Sequence, residues 1–120
     1  MQISNRSWIV LAVLVLVISA ASQWWAGEND KKAAVQLASL AQPGDIQMLA
    51  SETCSICASA RAWMTSYKVP FTECLIERDA ACRAAYEAQR SPGTPVMLVR
   101  GKPQLGFNPE RLAQALLPSG

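Results

Sequence analysis

The sequence predicts an α/β domain with a mixed sheet, preceded by a single N-terminal transmembrane helix. Three observations support this fold class. Residues 8–25 form an uncharged apolar segment, strand-type and helix-type segments alternate from residue 46 onward, and Cys54-Ser55-Ile56-Cys57 opens one of the helix-type segments. Thr94-Pro95 follows about forty residues later, ahead of another apolar run. The cysteine motif and the proline together indicate thiol–disulfide chemistry.

Size and composition exclude several classes of protein. The chain has 120 residues, of which 51% are hydrophobic, which suffices for one small domain and an appendage but not for two globular domains. Its 11 basic and 9 acidic residues leave a net charge of +2, so no nucleic-acid partner is expected. The chain has no histidine, which excludes imidazole metal sites and Cys/His catalytic pairs. Its four cysteines are therefore the candidate nucleophiles.

The segment from Trp8 to Trp25 is predicted to anchor the chain in a membrane. As a helix it would extend roughly 27 Å, close to the hydrocarbon thickness of a bilayer. Trp8 at one end and Trp24-Trp25 at the other suit the two membrane–water interfaces. A cleavable signal peptide is the competing interpretation, because Ser19-Ala20-Ala21 offers the small residues of a cleavage site.

The predicted parts of the chain are an N-terminal tail (1–7), the membrane segment (8–25), a juxtamembrane linker (26–45) and a folded domain (46–120). Within the linker, residues 31–41 predict a short helix that Pro43-Gly44 ends. Arg6, Lys31 and Lys32 do not decide the orientation. The short tail and the even number of cysteines favour a single-pass protein of the bacterial inner membrane with a periplasmic domain, with the opposite topology as the alternative.

The folded domain is predicted to have the element order βαβαββα. The predicted strands are 46–50, 71–76, 95–100 and 104–106, and the predicted helices are 55–67, 80–90 and 109–117. Asp79 and Asn108-Pro109 are the expected starts of the second and third of these helices. Gly101-Lys102 is the expected turn between the last two strands. Strands that alternate with helices imply a sheet with parallel pairs between two helical layers, a three-layer sandwich.

The two cysteines of the motif are predicted to differ in exposure. A core-facing stripe at helical spacing contains Cys57, Ala60, Met64 and Tyr67. Cys54 stands just before the first turn, where the unpaired backbone N–H groups and the helix dipole favour negative charge. We therefore predict that Cys54 is the attacking nucleophile and that Cys57 resolves the mixed disulfide.

Residues 46–117 resemble the glutaredoxin branch of the thioredoxin fold. Besides Cys54-Ser55-Ile56-Cys57 and Thr94-Pro95, the segment Gly106-Phe107-Asn108-Pro109-Glu110 is similar to the G-F-x-P-[DE] end of the small redoxins that reduce ribonucleotide reductase. The resemblance implies a cis peptide bond before Pro95, beside the dithiol, and substrate binding by Thr94 and Pro95. It also implies an oxidoreductase that acts on protein disulfides without a bound cofactor.

Two departures from the glutaredoxin pattern concern the reductant. Ser51-Glu52-Thr53 precedes the motif where glutathione-binding members often carry a lysine, and the Glu52 carboxylate would oppose thiolate formation. Gly106-Phe107-Asn108 replaces their Gly-Gly-x-[DS]-Asp stretch. Both departures disfavour glutathione as the direct reductant and favour a protein thiol reductant.

The chain is expected to act as a monomer.

The remaining cysteines, Cys74 and Cys82, lie eight residues apart, which matches no common zinc site, so no metal is expected. In an oxidising compartment they would form a second disulfide; as free thiols they would be small buried hydrophobic residues. Arg61, one turn after Cys57, is expected to be solvated, with tuning of the thiolate or contact with a substrate carboxylate as the alternative. The alternative functions are a non-catalytic peptide-binding module of the cell envelope, with structural cysteines, and a small metal carrier.

Overall fold

The computed structural model describes residues 4–118, which form four helices and four strands. In chain order these elements are α1 (Asn5–Leu40), β1 (Ile46–Ala50), α2 (Ser55–Ser66), β2 (Thr72–Leu75), α3 (Ala80–Gln89), β3 (Val96–Val99), β4 (Lys102–Leu105) and α4 (Pro109–Leu116). From β1 onward the order is the predicted βαβαββα. Residues 1–3 of the expected tail and 119–120 of the expected domain lie outside the described residues.

The first helix, α1, begins with an exposed apolar stretch that includes Trp8 and Trp25. By length and composition, α1 is able to cross a membrane. It continues without a break to Leu40, so the separate short helix predicted over residues 31–41 is instead the last part of α1. The chain divides into two compact units, Met1–Lys32 and Ala33–Gly120.

The last turns of α1 belong to the second unit. Ala33, Ala34 and Leu37 are buried there, and Ala41 continues the same apolar strip just after the helix. Their spacing of three or four residues places them on one face of the helix. The second half of the expected linker, residues 26–45, therefore contributes side chains to the hydrophobic core.

The strands form one sheet in the order β2-β1-β3-β4. β1 is parallel to β2 and antiparallel to β3, and β4 is antiparallel to β3. The crossover through α2 produces the parallel pair, whereas a tight turn joins β3 to β4. Leu49, near the end of β1, pairs with Val96 at the start of β3. The segment that follows β1 and the segment that precedes β3 therefore meet at the same end of these two central strands.

The β3–β4 turn differs from its prediction. The expected turn was Gly101-Lys102 with a strand at 104–106, whereas the observed turn is Arg100-Gly101 and β4 begins at Lys102. Arg100 and Gly101 have φ angles of 50° and 84°. Positive φ at both central residues is the type I′ geometry, whose twist matches that of the flanking strands. Glycine at the second of these positions adopts it without strain.

Different helices cover the two faces of the sheet. The face that includes Met48 and Met97 packs against α2, α4 and the end of α1, and these side chains are fully buried. Successive residues of a strand point to opposite faces, so Leu49 and Cys74 point away from that core. α3 packs against β1 and β2 and carries Cys82, which is bonded to Cys74. The domain has the predicted three layers.

Candidate active site

Cys54 is the N-cap residue of α2. Its backbone is extended, with φ −91° and ψ 109°, and its Sγ accepts the backbone N–H of Cys57 at 3.0 Å. The two cysteines form a disulfide with their Cα atoms 5.2 Å apart. After reduction, the unpaired N–H groups of the first turn and the helix dipole would stabilise negative charge on the Cys54 sulfur. The start of α2 thus provides the stabilisation of negative charge that a nucleophilic thiolate requires.

The exposure of the two cysteines differs in the predicted direction. Cys57 is fully buried, together with Ala60 and Met64, on the core-facing side of α2. Cys54 is half-buried and lies close to the exposed Ile56. Tyr67, which was predicted to continue the buried stripe, is 37% exposed because α2 ends just before it. The order of exposure suits attack by Cys54 and resolution by Cys57, since only the attacking sulfur must be reached from outside.

Thr94-Pro95 and the Cys54–Cys57 disulfide lie at the same end of the central strands, because β1 and β3 are antiparallel neighbours. The Thr94–Pro95 peptide bond is cis, as the resemblance implies. Pro95 is buried and its carbonyl accepts the N–H of Gly106 at 2.9 Å, whereas Thr94 is partly exposed. The fold therefore joins three segments here: the start of α2, the start of β3 and the loop before α4.

The turn at residues 51–53, which leads into Cys54, is held by the loop after β2. The hydroxyl of Ser51 donates to the Glu77 carboxylate, which also accepts the backbone N–H of Glu52 at 3.2 Å. These hydrogen bonds, the one from Ser51 above all, lower the pKa of Glu77. Sequence analysis missed Glu77, because nothing in the local pattern shows that the two loops meet.

Glu52 is the carboxylate that was expected to oppose the thiolate. Its side chain forms an ion pair with Arg78, which partly balances its charge. The Glu52 and Arg78 side chains are 42% and 74% exposed, so water already screens both. Glu52 therefore opposes the thiolate less than its position in the sequence suggests.

The Arg61 side chain is 42% exposed, in keeping with the expected solvation, but it also forms an ion pair with Glu73. Its Nε donates to Glu73 on β2 at 2.6 Å, and a second guanidinium nitrogen pairs with the other carboxylate oxygen. This bidentate contact raises the pKa of Arg61. Since Arg61 lies one turn beyond Cys57, the ion pair holds the middle of α2 against β2.

An aromatic cluster packs α2 against the loop before α4. The Trp63 ring lies 5.6 Å from Phe107 and 4.8 Å from Tyr67, measured between ring centroids. The indole Nε1 of Trp63 is buried and has no hydrogen-bond partner within residues 4–118. Phe107 belongs to the segment that departs from the glutathione-binding pattern, and here it serves as a packing residue next to the dithiol helix.

Cys74 and Cys82 form a second disulfide, with their Cα atoms 5.4 Å apart. Cys74 lies on β2 and Cys82 in the first turn of α3, where the side chain of Asp79 accepts the backbone N–H groups of Ala81 and Cys82. All four cysteines are thus disulfide-bonded. Among residues 4–118 no group of three or more metal-ligating side chains occurs.

The structure is similar to that of a known thioredoxin-like protein. It matches the crystal structure of the thioredoxin-like protein BC3987 with 25% sequence identity and a TM-score of 0.50, over 58% of this chain and 97% of that one. A point mutant of the same protein matches with 27% identity and a TM-score of 0.51, over 60% and 99% of the two chains. No protein-family profile and no curated protein sequence matches significantly. The chain therefore contains a domain of the thioredoxin-like fold, preceded by one helix that is long and apolar enough to span a membrane.

Proposed function

We propose that this protein is a membrane-anchored, glutaredoxin-like thiol–disulfide oxidoreductase that acts on protein disulfides through Cys54 and Cys57. The observation that carries the proposal is the Cys54–Cys57 disulfide at the start of α2, with the buried Cys57 behind the half-buried Cys54. The thioredoxin-like structures that the chain resembles support a redox role for a pair with this spacing.

In the reducing direction, the Cys54 thiolate attacks one sulfur of the substrate disulfide. That bond breaks, one substrate sulfur leaves as a thiolate and takes up a proton, and the other remains bonded to Cys54. The Cys57 thiolate then attacks the Cys54 sulfur, releases the second substrate thiol and restores the Cys54–Cys57 disulfide. The substrate gains two electrons that the dithiol loses, and a protein thiol reductant returns the dithiol to its reduced form.

Thr94 and Pro95 are the proposed substrate-binding residues. They lie at the same end of the central strands as Cys54, and Thr94 is partly exposed. Thr94 lies just before β3 and outside its pairing with β1 and β4, and such unpaired backbone can bind an extended peptide in the manner of a strand. Pro95 has no amide N–H, so the pairing groups would come from Thr94.

The proposed location is the bacterial inner membrane, with residues 8–25 as a single-pass anchor and the redox domain in the periplasm. The length and apolar composition of α1 support the anchor. The two disulfides support an oxidising compartment. A topology reporter fused after Gly120 is expected to be active in the periplasm, and the mature protein is expected to keep its full mass. A cytosolic reporter would contradict the location, and a shortened chain would contradict the anchor.

The redox proposal is tested by the catalysed reduction of insulin disulfides with dithiothreitol as the electron donor and full-length protein in detergent. Cys54→Ser is expected to abolish turnover, and Cys57→Ser is expected to accumulate a mixed disulfide with the substrate because the resolving thiol is missing. Ser59→Ala, an exposed change on the same helix, is the control and is expected to keep full turnover. Undiminished turnover by Cys54→Ser would contradict the redox role of this pair. Absence of turnover by the unsubstituted protein, together with a Cys54–Cys57 dithiol that resists alkylation after reduction, would favour the non-catalytic peptide-binding alternative.

A further inference from the structure

The loop between β2 and α3 is constrained by a disulfide bond and by a backbone hydrogen bond to the end of β1. The Cys74–Cys82 disulfide closes it, and the N–H of Ile76 donates to the carbonyl of Ala50 at 3.0 Å. A short covalently closed loop has few conformations available. The loop therefore presents its exposed residue Glu77 at a defined place beside the end of β1.

Glu77 is connected to the backbone of Cys54 through a series of hydrogen bonds. Its carboxylate accepts the Ser51 hydroxyl and the Glu52 N–H, the latter at 3.2 Å. The Ser51 hydroxyl oxygen accepts the Thr53 N–H at 3.3 Å, and the Ser51 carbonyl accepts the Cys54 N–H at 3.3 Å. A displacement of Ser51 would therefore move the residue that carries the attacking sulfur.

The neighbouring contact from Arg78 contributes less to this arrangement. Its ion pair with Glu52 joins two exposed side chains, and exposed pairs are weak because water competes for both charges. Glu77 instead binds a backbone N–H and the hydroxyl that organises the turn. Its lowered pKa reflects how strongly these groups favour the carboxylate form.

We infer that Glu77 is a positioning residue of the redox reaction: its hydrogen bonds hold the turn at residues 51–53, and with it Cys54, while the Cys74–Cys82 disulfide holds Glu77. This inference rests on the proposed roles of Cys54 and Cys57. The charge of Glu77 has the opposite effect, because a nearby carboxylate disfavours a thiolate. Loss of the charge alone would therefore speed attack by Cys54, whereas loss of the hydrogen bonds slows it.

Two substitutions separate the hydrogen bonds of Glu77 from its charge. Glu77→Gln removes the charge but keeps an oxygen for the Glu52 N–H and an amide for the Ser51 hydroxyl, whereas Glu77→Ala removes all of these groups. Glu87→Ala is the matched control: Glu87 is an exposed carboxylate whose partner Arg83 also contributes to the lowered pKa of Glu77, but Glu87 itself makes no hydrogen bond to the turn at residues 51–53. Thermal unfolding of each variant checks that the fold is intact.

The experiment uses full-length protein in detergent. The first measurement is kcat and KM for insulin reduction, and the second is the rate of Cys54 with the neutral disulfide 2,2′-dithiodipyridine in a Cys57→Ser background. Glu77→Ala is expected to lower kcat and the Cys54 rate about three- to tenfold with KM unchanged, less than the ~100-fold loss that a 1 Å misplacement can cause. Glu77→Gln is expected to react at between one and about two times the unsubstituted rate, because it keeps the hydrogen bonds and loses the charge. Glu87→Ala is expected to stay within about twofold of the unsubstituted rate, because Glu87 makes no hydrogen bond to the turn.

The role of the second disulfide is tested by Cys74→Ser combined with Cys82→Ser. This variant is expected to lose as much kcat as Glu77→Ala, and the addition of Glu77→Ala to it is expected to cost little more, because both changes remove the same contacts. Fully additive losses would contradict the part of the inference that concerns the disulfide.

Equal rates for Glu77→Ala and Glu87→Ala would overturn the inference. Faster reaction of both Glu77 variants would also overturn it and would assign Glu77 a purely electrostatic effect. Retained turnover by Cys54→Ser would instead overturn the proposed function itself, so the two failures are distinguishable.

Discussion

Two arginines on the helices that flank the sheet differ in how much their ion pairs stabilise the fold. Arg61 makes a bidentate contact with Glu73, whose side chain is only 20% exposed. Arg83 and Glu87 form an i, i+4 pair with both side chains 64% exposed. Water competes for the second pair, whereas the loss of Arg61 would leave the Glu73 carboxylate half-buried without its partner. The burial of one partner, and not only the distance between the charges, determines how much an ion pair contributes to the free energy of unfolding.

Arg61→Ala is therefore expected to lower the free energy of unfolding by about 1 kcal/mol, a value reduced for the partial exposure of the arginine. Arg83→Ala is expected to change it by less than about 0.5 kcal/mol. Urea denaturation of both variants measures the difference. Equal destabilisation by the two substitutions would contradict the assignment of a structural role to Arg61.

Glu77 is also expected to make the stability of the fold depend on pH. Its pKa is lowered in the folded protein, chiefly by the Ser51 hydroxyl. Such a group stabilises the fold at pH values above its unfolded pKa, about 4.3 for an ordinary glutamate, and this stabilisation is lost as the pH falls through the folded pKa. Acidification from about pH 6 to about pH 3 should therefore lower the melting temperature of the unsubstituted protein more than that of Glu77→Gln. If the melting temperatures of the two proteins fell equally with pH, the result would contradict a hydrogen-bonded Glu77 carboxylate.

At the scale of elements, the β3–β4 hairpin depends on one glycine. Gly101 has a φ of 84°, a conformation in which a side chain is strained, whereas Gly93 lies outside the positive-φ region and a Cβ there would meet open space. Gly101→Ala is expected to destabilise the fold by about 1 kcal/mol and Gly93→Ala by less than about 0.5 kcal/mol. Chemical denaturation of the two variants tests the comparison. An equal cost at both positions would contradict the type I′ turn.

Much of the element order was predictable because each element has a local signal. The apolar run at 46–50 and the helical spacing of Cys57, Ala60 and Met64 are patterns of neighbouring residues, and the structure confirms β1 and the buried stripe of α2. The N-caps Asp79 and Asn108 are likewise local, since each accepts N–H groups of the turn that follows it.

Features that depend on distant partners were not predictable. The start of β4 was misplaced because the positive φ of Arg100 appears only in the folded hairpin. The contacts of Glu77 with Ser51 and of Arg61 with Glu73 join different elements. No pattern of neighbouring residues in the sequence indicates them. Local patterns therefore predicted where the dithiol lies but not which groups hold it.

For the whole molecule, the start of the compact unit at Ala33 changes where the folded domain can be separated from the apolar N-terminal part of α1. Leu37 is fully buried in the same core as Met48 and Met97, although it precedes the predicted domain boundary at residue 46. Val35, on the other side of the helix, is 70% exposed. The core is therefore incomplete without the end of α1.

Leu37→Ala is accordingly expected to destabilise the globular unit by about 2–5 kcal/mol, the usual cost of truncating a buried leucine. Val35→Ala, the matched exposed change, is expected to cost less than about 0.5 kcal/mol. Denaturant unfolding followed by far-UV circular dichroism measures both. A small effect of Leu37→Ala would contradict a core that includes the end of α1.

The position of β4 at the border of the sheet has a consequence for self-association. In a two-residue type I′ hairpin, the pair next to the turn, here Val99 and Lys102, is hydrogen-bonded, so the backbone nitrogen of the next residue, Pro103, faces outward. Proline has no hydrogen on that nitrogen. A strand from another copy that paired with this border would lack one backbone hydrogen-bond donor, at Pro103 within β4. The loss of this hydrogen bond disfavours edge-to-edge aggregation.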